Sequence, residues 1–504
     1  MKHAKKLKYA ISSAKEKASN LNPKAYDVKK LIEEHPGPDV WIRHLEKDLM
    51  PFWKSKDACS LEKGLFRTYR DNTGKIIPDN PSKYPPEIKA ALADKDLKGL
   101  IELDYNFVRA HSRQTYAYGV AFNMTGNLEY LKLCKQGAEA LMNAFDNENG
   151  IFTRQNRKTG QWGEKYEQRN SQDLAYGITG LGMYYCLTRD EKALFKIMQA
   201  KEHIFNNYFS YGRGYFTWLP KVKSQIDDNV EIVAQLDQIY GYMIWLTPAL
   251  PEPHQTEWKE WLKKIASIII TRFYSERYGF FWGKGKEGTD KQLGTSHTDF
   301  GHSVKTMWLI YEIGVLTNEM SFVNFAREKI DVILRNAYIE KTGSWARRFN
   351  ADTTRDEDKE WWSLAELNQA CAIMALNDPS YLEYLNKTYK YWFDYMVDKK
   401  HGEIWHFVSA VDNKPVLKYP KVHSWKTCFH SCEHALFGYL TASQIKNKEF
   451  KLYYAFKSEK EIKYNRVSPY LFRANITKYE ISKKPIPFME NGNRVTCVSF
   501  YSLH

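Results

Sequence analysis

Residues 296–308 read Ser-His-Thr-Asp-Phe-Gly-His-Ser-Val-Lys-Thr-Met-Trp, which places His297, Asp299, His302 and Lys305 at the head of an apolar stretch. A second stretch, Trp-Lys-Thr-Cys-Phe-His at 425–430, ends in His430 at the head of another. Imidazole titrates near neutral pH, so it can both take and give a proton there. His302 follows a glycine and opens the helical pattern GHSVKTMWLIYEIG, and His430 opens the pattern of SWKTCFHSCEHALFGYL. A helix N-terminus disfavours the imidazolium and favours the neutral base. Asp299 is placed to cap the first of these helices. Two histidines heading different helices point to acid–base chemistry in one shared site. Lys305 either binds an anionic group or is a solvated residue one turn down the helix.

Other candidates have the same placement. Arg113, in RAHSRQTYAYG, heads a helix and suits a hydroxyl or carbonyl oxygen, or an acid partner. Trp361, Trp362 and Glu366, in KEWWSLAEL, start another; an indole face can stack on a pyranose ring and Glu366 can bond its hydroxyls. Trp425 is a similar candidate. The carboxyls Asp173, Asp237, Glu366 and Glu433 form no pair by motif of the kind that glycoside hydrolysis needs. Cys428 and Cys432 lie four apart beside His430 and His434, but none of the seven cysteines forms a CxxC pair, and free thiols in a reducing cytoplasm are expected. No metal and no cofactor is expected.

The elements that position these residues repeat. A glycine accompanied by aromatics recurs at Gly64, Gly150, Gly214, Gly279, Gly343 and Gly402, the last five separated by 64, 65, 64 and 59 residues. The first gap is 86, lengthened by a Pro-rich loop, DNPSKYPPEIK. Between the markers lie stretches with apolar residues at i, i+3, i+4 and i+7, about two per repeat. Two helices and a short hairpin, six times over, predict an all-α, closed (α/α)6 barrel of about twelve helices. A funnel at one end of the inner helices is the natural ligand site. The expected organisation is a basic extension over 1–36, the barrel over 37–445, and a small β-rich appendage over 446–504 packed on the barrel.

The chain has 504 residues, 15% of them aromatic, and a formal net charge of +14. Its lysines are mixed with acids along the chain, the densest basic run is MKHAKKLK, and no nucleic-acid motif accompanies them. No apolar run reaches membrane-spanning or signal-peptide length. The expectation is a cytoplasmic monomer or homodimer without nucleic-acid or membrane partners.

The ordered set LMPFW, RAHSRQTYAYG, FGHSVKTMWL, KEWWSLAEL and WKTCFHS, over roughly residues 38–445, resembles the N-acylglucosamine 2-epimerase superfamily, which includes cellobiose 2-epimerases and mannose isomerases. The resemblance implies an (α/α)6 barrel that interconverts sugars by proton transfer at C2. It places the paired histidines at His302 and His430 and the substrate-binding arginine at Arg113. Once the ring opens, a base takes the C2 proton to give an enediolate. Return of a proton to C2 from the other face epimerises the sugar; return to C1 turns an aldose into a ketose. Two positions depart from the pattern. Lys305 stands where many members carry Glu. Gln235 and Asp237, in EIVAQLDQIYGYM, stand near a further histidine of the preceding inner helix. Competing readings are a sugar-binding or partner-binding barrel without catalysis, and a glycoside hydrolase or lyase.

Overall fold

The computed structural model describes residues 27–146, 149–220, 230–285, 293–463, 466–490 and 492–503; the basic MKHAKKLK run lies outside them. Six long helices are buried on nearly every side: α2 (Val108–Thr125), α4 (Ser171–Thr188), α6 (232–246), α8 (Phe300–Thr317), α10 (Trp361–Ala375) and α12 (Phe429–Ile445). Six others bury one stripe only: α1 (38–53), α3 (Leu128–Met142), α5 (Glu191–Tyr208), α7 (His254–Phe273), α9 (Met320–Ala337) and α11 (382–396). In α9 the stripe is Phe322, Val323, Ala326, Ile330, Ile333, Leu334 and Ala337, the three-to-four spacing of an amphipathic helix.

The buried helices pack in chain order, and α12 returns to pack on α2 and on the start of α1. The ring is therefore closed: an all-α (α/α)6 barrel, not an open solenoid. Chain direction alternates between inner and outer helices, so all six inner N-termini face one end of the barrel.

The repeat markers are turn glycines. Five close two-stranded antiparallel hairpins, such as Tyr338–Ile339 with Ser344–Trp345, and the sixth closes the Val397–Ile404 bridge. Their φ angles are all positive, from 61° at Gly343 to 100° at Gly64. A side chain is strained in that region, which is why glycine recurs.

Beyond α12, strands β1 (Phe450–Phe456), β2 (Asn475–Ile481) and β3 (Arg494–Tyr501) form an antiparallel sheet in the order β1-β3-β2. It covers the end of the barrel where α2 finishes: Asn123 donates to the Tyr453 carbonyl at 3.0 Å. From the segment between β1 and β2, Tyr470 reaches into the barrel, its ring stacked on Trp245 at 5.8 Å. No helix among the described residues is long and apolar enough to cross a membrane.

The seam between α1 and α12 depends on Gly438, where a Cβ would lie 2.2 Å from the indole of fully buried Trp41. Gly438→Ala is expected to cost about 1–3 kcal/mol through overpacking. The check is the midpoint of urea unfolding; an unchanged midpoint would mean the seam can open to admit a methyl group.

Candidate active site

The inner N-termini surround a cavity of about 350 Å³. Arg113 comes from α2, Asp237 from α6, His302 and Lys305 from α8, Trp361 and Trp362 from α10, and His430 from α12, with Trp425 on the loop before it; all line the wall. The position of each in the first turns of its helix explains the convergence. Trp362 is flanked by both imidazoles, with ring centroids 4.6 Å from His302 and 6.1 Å from His430.

Asp299 caps α8 as its position predicts. One carboxylate oxygen accepts from the His302 backbone N–H, and the other lies 2.7 Å from His302 Nδ1. Burial lowers the His302 pKa, and Asp299 offsets part of that effect. His430 is held well below the usual histidine range, chiefly by burial and then by Arg113 and Lys305. Both rings are thus kept neutral at pH 7, one steadied by a carboxylate and the other facing cations.

Lys305 is not solvated: it is 2% exposed and its Nζ lies 3.2 Å from Asp237 Oδ1. Asp237 also accepts from Gln172 at 2.6 Å and Tyr176 at 2.9 Å. Burial pushes the Asp237 carboxyl up, but Lys305, Gln172, His302 and Tyr176 together bring it down to about 2. Burial likewise opposes the Lys305 charge, yet Asp237 first, then Tyr176 and Glu366, hold the ammonium above its ordinary range. The two departures from the family pattern are therefore one ion pair.

Two expected ligand-binding residues lie elsewhere. Gln235 is fully buried outside the wall, accepting from the Phe216 backbone N–H at 2.8 Å and donating to its carbonyl at 2.6 Å. It fastens α6 to the third hairpin and has no free group to offer a sugar. Glu366 is also fully buried and off the wall; its Oε2 accepts from Trp308 at 3.1 Å and its Oε1 lies 3.3 Å from His430 Nδ1. It touches the imidazole rather than the cavity.

The wall also holds residues that motif reading missed. Arg109 sits one turn before Arg113, pairs with Asp173 at 2.6 Å and stacks on exposed Trp425 at 3.4 Å. The i, i+4 arginine spacing in RAHSR is a legible signal for it. Tyr176 lies 3.7 Å beneath the Arg113 guanidinium. His406 and His423, 3.2 Å apart, come from loops, where no periodicity marks them. Burial and neighbouring cations bring His423 down to about 3. Glu360, the residue before α10, is raised to about 7 by burial against the opposing pull of Arg347.

Comparison with known proteins agrees with this arrangement. The family model described as N-acylglucosamine 2-epimerase matches residues 249–431, which carry α8, α10 and the start of α12. A cellobiose 2-epimerase of Ruminococcus albus is 22% identical over 342 residues, 64% of this chain and 84% of that protein. The solved cellobiose 2-epimerase of Spirochaeta thermophila superposes with a TM-score of 0.65 at 17% identity, covering 84% of this chain and 99% of its own. A D-mannose isomerase structure superposes at 0.64 with 15% identity, covering 80% and 98%.

The buried pair sets a test. Lys305→Met leaves the Asp237 charge unpaired and should cost about 3–5 kcal/mol of unfolding free energy, most of which Lys305→Met/Asp237→Leu should restore. Asp237 is depressed from 3.8 to about 2, so its ionised form contributes stability above the unfolded value that is lost as pH falls towards 2. The double variant should therefore lose less stability than wild type between about pH 4 and 2. Chemical denaturation across that range decides it; a single variant as stable as wild type would mean the pair is not buried in solution.

Proposed function

We propose that this chain is a carbohydrate epimerase or aldose–ketose isomerase similar to the N-acylglucosamine 2-epimerases, acting by proton transfer at C2 through an enediolate. The observation that carries the reading is that His302 and His430, on different inner helices, flank Trp362 in one cavity. A neutral imidazole is the form that can abstract a proton, and burial keeps both rings in that form.

In this reading the open-chain sugar lies over Trp362 with C2 between the rings. One histidine takes the C2 proton, the C2–H electron pair forms the C1–C2 double bond, and the carbonyl oxygen gains the negative charge. Arg113 has a buried Nε without a hydrogen-bond partner and donates Nη1 to the Trp425 carbonyl at 2.8 Å. Its guanidinium is thus fixed on the wall, where it can meet the oxyanion. The second histidine returns a proton to C2 for epimerisation; a proton delivered to C1 gives the ketose. Trp361 and Trp425 supply further apolar wall for the sugar face.

Because Asp237 answers the Lys305 charge and Asp173 answers Arg109, the wall favours a neutral sugar over an anionic one. The hydrolase reading loses support from the same geometry. Glu366 and Glu433 lie off the wall, Asp173 and Asp237 are held by cations, and no opposed acid and base remain among these candidates to flank a glycosidic bond. A cytoplasmic location and a monomeric or dimeric state belong to the proposal.

A panel of aldoses in heavy water, followed by NMR, tests it. Product should carry solvent deuterium at C2 or C1. His302→Ala and His430→Ala should each lower conversion by about 100-fold or more. His297, at the mouth with Nδ1 3.4 Å from Glu231, should matter less. Tight sugar binding without exchange would identify a binding protein; reducing ends released from an oligosaccharide would identify a hydrolase.

A further inference from the structure

Beneath His430, on the side away from the cavity, two carboxyls and three tyrosines form a buried network. The Tyr240 hydroxyl donates to Glu433 Oε2 in a short contact, and its oxygen lies 3.1 Å from His430 Nδ1. The Tyr470 hydroxyl donates to Glu433 Oε1 at 2.6 Å, and Tyr116 donates to Tyr470 at 2.9 Å. Ligand atoms of Glu366, His430 and Glu433 all lie within 4.8 Å of one another, and both carboxyls are fully buried. Two carboxylates this close in an apolar interior do not both ionise readily.

We infer that Glu366 and Glu433 hold one proton between them, and that Tyr470 of the C-terminal segment positions this pair so that a proton taken by His430 at Nε2 is relayed from Nδ1 to Glu366. The relay rests on the function proposed above; the shared proton does not.

The hydrogen-bond arithmetic supports it. A tyrosine has one proton to donate, and that of Tyr240 is engaged by Glu433. The contact with His430 is therefore made by Nδ1–H, donating to the Tyr240 oxygen or to Glu366 Oε1. Nε2 is left bare, as a base requires. When Nε2 takes a proton the ring is cationic in a setting that disfavours cations. Transfer of the Nδ1 proton to Glu366 Oε1 restores a neutral ring, now with Nε2–H, and a neutral carboxyl. No charge is created beyond the one proton moved, and the reverse sequence returns it. The same histidine thus serves as base in one direction and acid in the other.

The surroundings agree. Burial raises both carboxyls to about 7, Glu433 being pushed further by Glu366 and restrained by Tyr240 and Tyr470. The other titratable groups facing the set are Arg113 and Tyr116 from α2, Tyr176 from α4, Asp237 from α6, and His302 and Lys305 from α8. Lys426 and Cys432 face it from the α12 segment. Lys305 favours the ionised form of Glu366, but its charge is shared with Asp237. The spacing also resembles a metal-ligand set; Tyr240, however, already occupies the Glu433 oxygen that faces Nδ1.

Glu433→Gln and Tyr470→Phe test the inference by two independent readouts. Difference infrared spectroscopy of the full chain should show a protonated-carboxyl band titrating near neutral pH that Glu433→Gln removes, while Glu312 and Glu360 keep their own bands. The kcat profile should show a limb in the same range. Glu433→Gln should abolish that limb. Tyr470→Phe removes a donor to the carboxylate, so it should move the limb and the band up by about one pH unit, the size of one hydrogen bond to a charged group. Lower turnover with an unchanged pH profile and unchanged band would overturn the inference and leave Tyr470 a packing residue. Stoichiometric bound metal lost in Glu433→Gln would also overturn it. If wild type converts no sugar, the proposed function fails, yet the infrared band still decides the shared proton.

Discussion

An inner helix of a closed ring has no solvent face. Every polar side chain on it must find a partner within the barrel or border the cavity, because an unpaired buried polar group costs roughly 1–3 kcal/mol. This constraint organises the molecule. Ser112 of α2 donates to the Gly177 carbonyl of α4 at 3.0 Å, Thr179 of α4 to the Gly241 carbonyl of α6 at 2.7 Å, and Trp308 of α8 to Glu366 of α10. Each bond sets one inner helix against the next.

The same constraint governs the charges. Six inner N-termini converge on one end, so their backbone dipoles add a positive field there. That field, together with burial, keeps the two imidazoles uncharged and gives Asp237 and Asp299 a favourable setting. Lys305 is tolerated only with its own carboxylate beside it. The lysine and aspartate are best understood as a unit: reversing the sign at one position is compatible with a buried site because the sign at the neighbouring helix fits it.

How much of this was legible in the sequence follows from whether a feature is local. The repeat was legible because glycine at a positive φ is a local demand made six times over. His302, His430, Arg113, Asp237, the tryptophans and Lys305 were legible as wall residues because each heads a periodic apolar run. The Lys305–Asp237 pairing was not, since it joins residues 68 apart in the chain that only ring closure brings together. Gln235 and Glu366 lie on the right helices but turn to a hairpin backbone and to another side chain, and periodicity does not resolve that rotation. His406 and His423 come from irregular loops, where spacing carries no information. Tyr470 carried no signal because it enters from the appendage.

The seam between α1 and α12 has a consequence for the order of assembly. Trp41 packs edge-on against His434, nearly four hundred residues later, at a centroid distance of 5.2 Å. During synthesis, the first helix and the exposed flank of the first inner helix must wait for the last inner helix to emerge. Until then the partial ring presents an apolar edge to the cell. Contacts of such long sequence separation slow folding, and unfinished apolar edges invite association between nascent chains. The geometry that gives the finished barrel no edge is therefore the one that keeps an edge open until its final repeat has been made.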